Sequence, residues 1–406
     1  MNYFDDCRKL QQAFLSDAPC AQAGEFEARS FDFHSHSFHL LPGAGEYHCL
    51  IHDAPIPNTY SYFRDTGYIH DSVHAQDVMV AENRDFSYKI LVPAGSQKIS
   101  EMVMLFHGFN EKHWDKYLPM GKAICENTGK AVVFFPIAFH MQRAQPAWSE
   151  KRQMFELSRK RAEMFPHIIG STLSNAAISA RLHSMPQRFI WSGLQTYYDV
   201  VQFIEECRAG RHPLIDKDFT LDIFAYSIGG FLAQILKLAN FKGYFDMVKV
   251  CLFCSGAVFN RMSPVSKFIL DSEANVALYS YLIEHFDSFL QKDRRLRHYI
   301  EEDHLEGKIF HSLLDYRKMR EFRESLFRKA EDDFYAIVLK KDAVIPPFEV
   351  VNTLQGAFRD IRIKVDEVDF DYPYTHENPF PLHEKYERQI NLAFKGVFDK
   401  VCAFLA

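Results

Sequence analysis

The chain has 406 residues, 47% apolar and 25% charged, with a net charge of −6 and a pI of about 6.3. This is enough chain for a sizeable core in one large domain or two smaller ones, and the mildly acidic balance gives no basis for binding nucleic acid or an anionic membrane surface. No basic stretch followed by an apolar run opens the sequence, and no apolar segment reaches the ~18 residues that span a bilayer, so a cytoplasmic protein without a transmembrane segment is expected.

Residues 1–85 carry the weakest pattern. A helix is expected over 5–15, and residues 30–41 alternate partially, which in a strand puts Asp32, His34 and His36 on one face. His34, His36, His39, His48 and His52 make this segment histidine-dense, and the first two could chelate from one strand face. No cysteine or acidic ligand follows at a confirming spacing, so surface or edge histidines, and no metal, are expected. The eight cysteines are scattered without paired spacing and read as reduced thiols. Cys251 and Cys254 form a C-x-x-C inside an apolar run, where a redox pair would instead open a helix, so both are placed in the core.

From residue 86 the pattern becomes regular. Strands are expected over 86–93, 101–106, 131–137, 219–224, 247–254, 334–339 and 361–370, and helices over 115–127, 195–207, 231–239 and 384–405. Continuous apolar strands alternating with helices indicate a mostly parallel, doubly wound sheet covered on both faces. Two stretches interrupt it. Residues 139–193 read as an insertion containing Trp148. Residues 261–332, dense in charged and aromatic side chains, read as several amphipathic helices forming a cap. With neither repeats nor a low-complexity linker, one domain with a cap is expected: an N-terminal extension (1–85) packed on the core, a core (86–260 and 333–406) and a helical cap (261–332).

The most informative stretch is Phe224-Ala225-Tyr226-Ser227-Ile228-Gly229-Gly230, which places a serine at a sharp join between an apolar strand and an apolar helix. Such a turn needs small residues beside the serine, and Ala225 and Gly229 supply them. The helix start also aims free N–H groups at the place where an oxyanion would form. An ordinary N-cap serine would look similar in isolation. A serine nucleophile needs a base, and the base needs an orienting acid. Asp342 directly follows the 334–339 strand, and His376 follows the next one; each is placed just past a strand's C-terminal end, where open parallel sheets keep their sites. His376 is preferred over His383, which already enters the final helix, and Asp369 and Asp371 sit too near the histidine loop to serve as the acid. The oxyanion donors expected are the backbone N–H groups of Ile228 and Phe109, with Asn110 as the alternative to Phe109 in the loop opened by His107 and Gly108. His113, His140 and Trp148 are candidates for lining a pocket.

His107-Gly108, Ala225-Tyr-Ser-Ile-Gly229, Asp342-Ala-Val-Ile-Pro346 and His376, in this order, resemble the motifs of the α/β-hydrolase superfamily. The likeness covers about residues 86–260 and 333–406. The first glycine of G-x-S-x-G is Ala225 here, a replacement that some lipases of the superfamily share. The resemblance implies an α/β-hydrolase fold and a serine hydrolase that cleaves an acyl ester or thioester without a cofactor, with a small-molecule acyl substrate and the cap over the site. A serine peptidase or acyltransferase would use the same residues, and a non-catalytic binding protein of this fold is the alternative from another class. The acyl group and the oligomeric state are not legible.

Overall fold

The computed structural model describes residues 3–15, 18–45, 47–49, 51–56, 73 and 75–406. Among these residues eleven strands appear in chain order: β1 (Cys20–Ala23), β2 (Phe26–His34), β3 (Tyr47–Cys49), β4 (Ala54–Ile56), β5 (Asp85–Pro93), β6 (Ile99–Phe106), β7 (Ala131–Phe134), β8 (Ile215–Tyr226), β9 (Val250–Phe253), β10 (Phe334–Leu339) and β11 (Lys364–Val368). Nine form one mixed sheet in the order β1-β2-β5-β7-β6-β8-β9-β10-β11. From β7 to β11 every pairing is parallel, whereas β1, β2 and β5 continue the sheet antiparallel. β3 and β4 make a separate hairpin.

The central strands are apolar on both sides because both faces are covered. Along β6, Met102, Met104 and Phe106 join one core cluster, and Val103 and Leu105 join the other. β8 divides the same way, Ile223 and Ala225 against Phe224 and Tyr226. The helices Arg188–Arg208 and Ile228–Ala239 pack into the first cluster, and Leu118–Thr128, Glu387–Leu405 and the N-terminal Tyr3–Leu15 into the second. Cys251 and Cys254 are buried in β9 and just beyond it, and all eight cysteines are free thiols.

Three expectations are corrected. The 30–41 segment is not one strand: β2 ends at His34, the Ser35 N–H turns to the Arg84 carbonyl (2.8 Å), and a 3₁₀ turn follows over His36–Leu40. His34 and His36 therefore share no strand face, and His34 instead pairs with Asp85 (2.5 Å). The strand expected over 131–137 stops at Phe134, close before Pro136, which has no N–H for a ladder. The Phe189–Gly193 stretch opens the long helix Arg188–Arg208 instead of ending the preceding insertion.

The N-terminal stretch enters the fold through β2, which pairs with β5 from Phe26↔Pro93 to His34↔Asp85. Part of that stretch, 57–72, lies outside the described residues. Between β9 and β10 the chain is mainly helical, with helices at Ser272–Tyr279, Phe286–Lys292, Arg294–Glu301, Leu305–Ser312 and Arg320–Lys329. No helix among the described residues is long and apolar enough to cross a membrane.

Candidate active site

Ser227 stands between the last residue of β8 and the first of the helix Ile228–Ala239, with φ 54° and ψ −124°. A non-glycine residue held there costs on the order of 1–3 kcal/mol, which the surrounding contacts must offset. Its N–H donates to the Phe253 carbonyl (3.2 Å), its carbonyl accepts the Gly230 N–H (2.9 Å), and the Ser255 hydroxyl donates to that same carbonyl (2.6 Å). The glycines after it are required by close approach. A Cβ on Gly229 would lie 2.7 Å from the His107 carbonyl oxygen, and one on Gly230 would lie 2.1 Å from Ser255 Oγ.

The three residues expected at the site meet. Ser227 Oγ lies 2.7 Å from His376 Nε2, and His376 Nδ1 lies 2.7 Å from Asp342 Oδ2. All three are buried. The other oxygen of Asp342, Oδ1, accepts the N–H groups of Val344 (2.9 Å) and Ile345 (2.8 Å), so the carboxylate is fixed by its own loop. The histidine loop is tied from two sides: the Tyr226 hydroxyl donates to the His376 carbonyl, and the Tyr374 hydroxyl accepts the Lys341 N–H (3.2 Å) while donating to Asp369 (2.8 Å). Asp369 is taken up by Tyr374 and Lys341, and Asp371 and His383 are exposed, so none of the three joins the set.

His107 is wholly buried and lines neither of the cavities beside Ser227 and Phe109. Its Nδ1–H donates to the Gly108 carbonyl (2.7 Å) and its Nε2 accepts the Ile137 N–H (2.9 Å), which locks the loop after β6 to the loop after β7. Burial holds its pKa well below the ordinary histidine range, with His140 nearby adding to the effect. Gly108 donates its N–H to the Tyr117 hydroxyl (2.8 Å), which in turn donates to Glu111 (2.9 Å). Glu111 pairs with Lys116, whose ammonium also donates to the Glu377 carbonyl (2.9 Å) and sits over the Tyr226 ring. This network couples the β6 loop to the histidine loop. No sequence motif points to it, although all its members but Tyr226 and Glu377 lie within ten residues of Gly108. Asn110, at φ 58°, uses its side-chain amide to hold the carbonyls of Ser174 (2.9 Å) and Phe268 (2.6 Å). Among the described residues no acceptor takes the N–H of Phe109 or of Ile228.

Two apolar cavities meet here, sharing Phe109, Phe189 and Ile228. The smaller reaches Ser227 and is walled by Phe259, Ile269, Leu270 and Leu278. The larger runs between Phe231, Leu232 and Ile235 of the post-serine helix and Tyr299, Ile300 and Phe310. His140 lines it; burial brings its pKa down to about 4, so its imidazole is neutral near pH 7. Its Nδ1–H donates to the Ala138 carbonyl (2.8 Å), and no protein group among the described residues meets its buried Nε2. Trp148 borders a separate small cavity and stacks against Arg181 (4.2 Å), and His113 is exposed.

A family model described as "Family of unknown function (DUF6051)" matches residues 1–406. The chain belongs to this family. No curated protein matches it. The solved structures to which the DUF6051 chain is similar include esterase Est22, 12% identical with 99% of this chain and 83% of that chain covered and a TM-score of 0.46. Carboxyl esterase 2 of the mycorrhizal fungus Tuber melanosporum is 12% identical, covering 80% of this chain and 82% of that one, at a TM-score of 0.43. A cold-adapted esterase from an Arctic intertidal metagenomic library is 9% identical, covering 96% and 99%, at a TM-score of 0.39.

Proposed function

We propose that this protein is a serine hydrolase of α/β-hydrolase fold that cleaves an acyl ester through an acyl-enzyme intermediate. The observation that carries the reading is the chain Ser227 Oγ–His376 Nε2–Asp342, with 2.7 Å at both links, on a serine at positive φ at a strand-to-helix turn. His376 Nε2 takes the hydroxyl proton as Ser227 attacks the carbonyl carbon, then gives it to the leaving alkoxide. Asp342 holds the Nδ1–H tautomer and stabilises the imidazolium that forms. The oxyanion of the tetrahedral intermediate sits against the Ile228 and Phe109 N–H groups, which have no other acceptor among the described residues. Water activated by His376 then releases the acid. The residues that line the two cavities are mostly aliphatic and aromatic, which favours an apolar acyl chain over a peptide. In this reading the helices between β9 and β10 form a cap, and Tyr299, Ile300 and Phe310 are its contribution to the pocket.

The test is turnover of p-nitrophenyl esters of increasing acyl length, with a thioester and a peptide anilide beside them, on wild type, Ser227→Ala and His376→Ala. The expected result is ester hydrolysis that rises from acetyl to medium-chain acyl and falls at least about 10³-fold in kcat in either variant, with unchanged circular dichroism. Undiminished turnover in Ser227→Ala would sink the proposal. Failure of a well-folded wild type on every member of the panel would do the same, and would favour a binding role for the pocket.

A further inference from the structure

Four side chains from two distant parts of the chain converge away from the serine. Cys49, at the end of β3, and His52, in the turn of the β3–β4 hairpin, meet His298 and His304. The latter two lie at the end of the helix Arg294–Glu301 and just before the helix Leu305–Ser312. One donor atom from each of the four falls within 4.8 Å of all the others. The individual separations are 3.4 Å from Cys49 Sγ to His304 Nε2, 3.5 Å from Cys49 Sγ to His52 Nδ1, and 3.1 Å from His304 Nε2 to His298 Nε2. A tetrahedral zinc ion with Zn–S of about 2.3 Å and Zn–N of about 2.0–2.1 Å needs S···N edges of about 3.6 Å and N···N edges of about 3.3 Å. The three separations given lie close to those edges, and the other three are no longer than 4.8 Å, so four ligand atoms surround one point at near-coordination spacing.

The protons point the same way. His298 Nδ1 faces Glu302 (2.8 Å) and His304 Nδ1 faces Glu306 (2.8 Å), so each Nδ1–H donates to a carboxylate. Both Nε2 atoms then present lone pairs to each other at 3.1 Å, a repulsive contact that a shared cation turns into ligation. A carboxylate on the far nitrogen of a ligating imidazole is the usual way such a ligand is oriented and made more basic. Glu306 also accepts the Tyr198 hydroxyl, which fixes it in turn. The approach of the two helices is built in: a Cβ on Gly307 would lie 1.6 Å from the Tyr299 carbonyl oxygen. Cys49, His298 and His304 are buried, and the partly exposed His52 leaves a path for an ion to enter.

We propose that Cys49, His52, His298 and His304 bind one zinc ion as a structural site. Thiolate and imidazole donors without a carboxylate in the ligand set suit zinc over magnesium or calcium. Four protein ligands close the coordination sphere, so the ion holds structure and activates no water. Binding displaces the Cys49 thiol proton to solvent and takes the three imidazoles neutral. The ion joins the N-terminal hairpin to the helices that wall the larger cavity, since Tyr299, Ile300, Glu306 and Gly307 line that cavity beside His304. The proposal stands independently of the hydrolase reading.

The test uses the tag-free full chain, expressed with zinc and purified without chelator. Elemental analysis is expected to find about one zinc per chain, and less than about 0.1 in Cys49→Ser and in His298→Ala. Replacement by cobalt(II) is expected to give a thiolate-to-cobalt charge-transfer band and the strong visible absorption of a tetrahedral ion. Removing zinc from wild type lowers Tm, and adding it back restores Tm. The double variant His34→Ala, His36→Ala retains the ion. Should a ligand variant fail to fold, the wild-type zinc content and cobalt spectrum decide by themselves. Wild type that takes up no zinc and gives no charge-transfer band overturns the proposal, as does undiminished zinc in a folded Cys49→Ser.

Discussion

Asp342 uses its two oxygens differently, and this asymmetry can be tested at a single atom. Oδ1 is fixed by the Val344 and Ile345 N–H groups, and Oδ2 receives the His376 Nδ1–H. In Asp342→Asn the amide NH₂ turned toward His376 would favour the Nε2–H tautomer, which cannot accept the Ser227 proton. In the hydrolase reading kcat then falls roughly 10³–10⁴-fold with KM changed by less than about threefold; ester kinetics check it, and a kcat within tenfold of wild type would contradict the role given to Asp342. The glycine after the serine gives a second residue-scale prediction. Gly229→Ala must push a Cβ into the His107 carbonyl oxygen and the Phe106 carbonyl oxygen at 2.7 and 2.8 Å, and is expected to cost about 1–3 kcal/mol in urea unfolding. Gly396, exposed and with nothing within 4 Å of its added Cβ, is the control in the final helix, where Ala is expected to stabilise by about 0.5–1 kcal/mol. Why the sequence pointed to Ser227 follows from the same contacts: only small residues fit around that turn, and small residues leave a visible pattern.

The elements divide by how local their causes are. β9, β10 and the C-terminal parts of β6 and β8 are legible because a strand buried on both faces is continuously apolar, whereas β5 alternates over Phe86–Lys89 before its apolar Ile90–Val92. β2 is only partly legible: it belongs to the antiparallel side of the sheet, its pattern mixes Glu27, Arg29 and Asp32 with aromatics, and its end at His34 is set by Ser35 bonding to Arg84. The loop after β6 shows the same limit at the site. Its shape rests on Tyr117, Glu111 and Lys116, whose partnership is invisible until the chain folds. Tyr117→Phe removes the acceptor of the Gly108 N–H and the donor to Glu111. It is expected to lower kcat about tenfold or more with little change in KM, because the loop would still bind the acyl chain through Phe109 while its N–H groups lose their fixed direction. Stopped-flow or steady-state ester kinetics separate the two parameters, and a rise in KM at constant kcat would contradict this role.

At the scale of the whole molecule, burial lowers the pKa of several of the described histidines. His140 and His212 are each brought down to about 4, mainly by burial, and His107 is lowered by the same cause. An unfolded histidine titrates near 6.5. Between that value and the folded one the unfolded chain binds more protons, so stability is full above about pH 6.5 and falls as pH drops toward 4. Tm measured from pH 7.5 to 4.5 is expected to decline with that onset, and His140→Gln to flatten the decline; a Tm rising over this range would contradict the burial of these rings as neutral groups. The histidine–cysteine cluster is also a whole-molecule feature, since more than 240 residues separate the hairpin ligands from the helical ones. His34 and His36 are neighbours in sequence, whereas the members of this cluster meet only through the fold. The most direct test of the central claim is labelling by a fluorophosphonate probe, read by intact mass and by the modified peptide, on wild type and Ser227→Ala. One adduct per chain is expected, on Ser227 and absent from the variant. A folded wild type that takes no adduct, or an equal adduct on the variant, would contradict it.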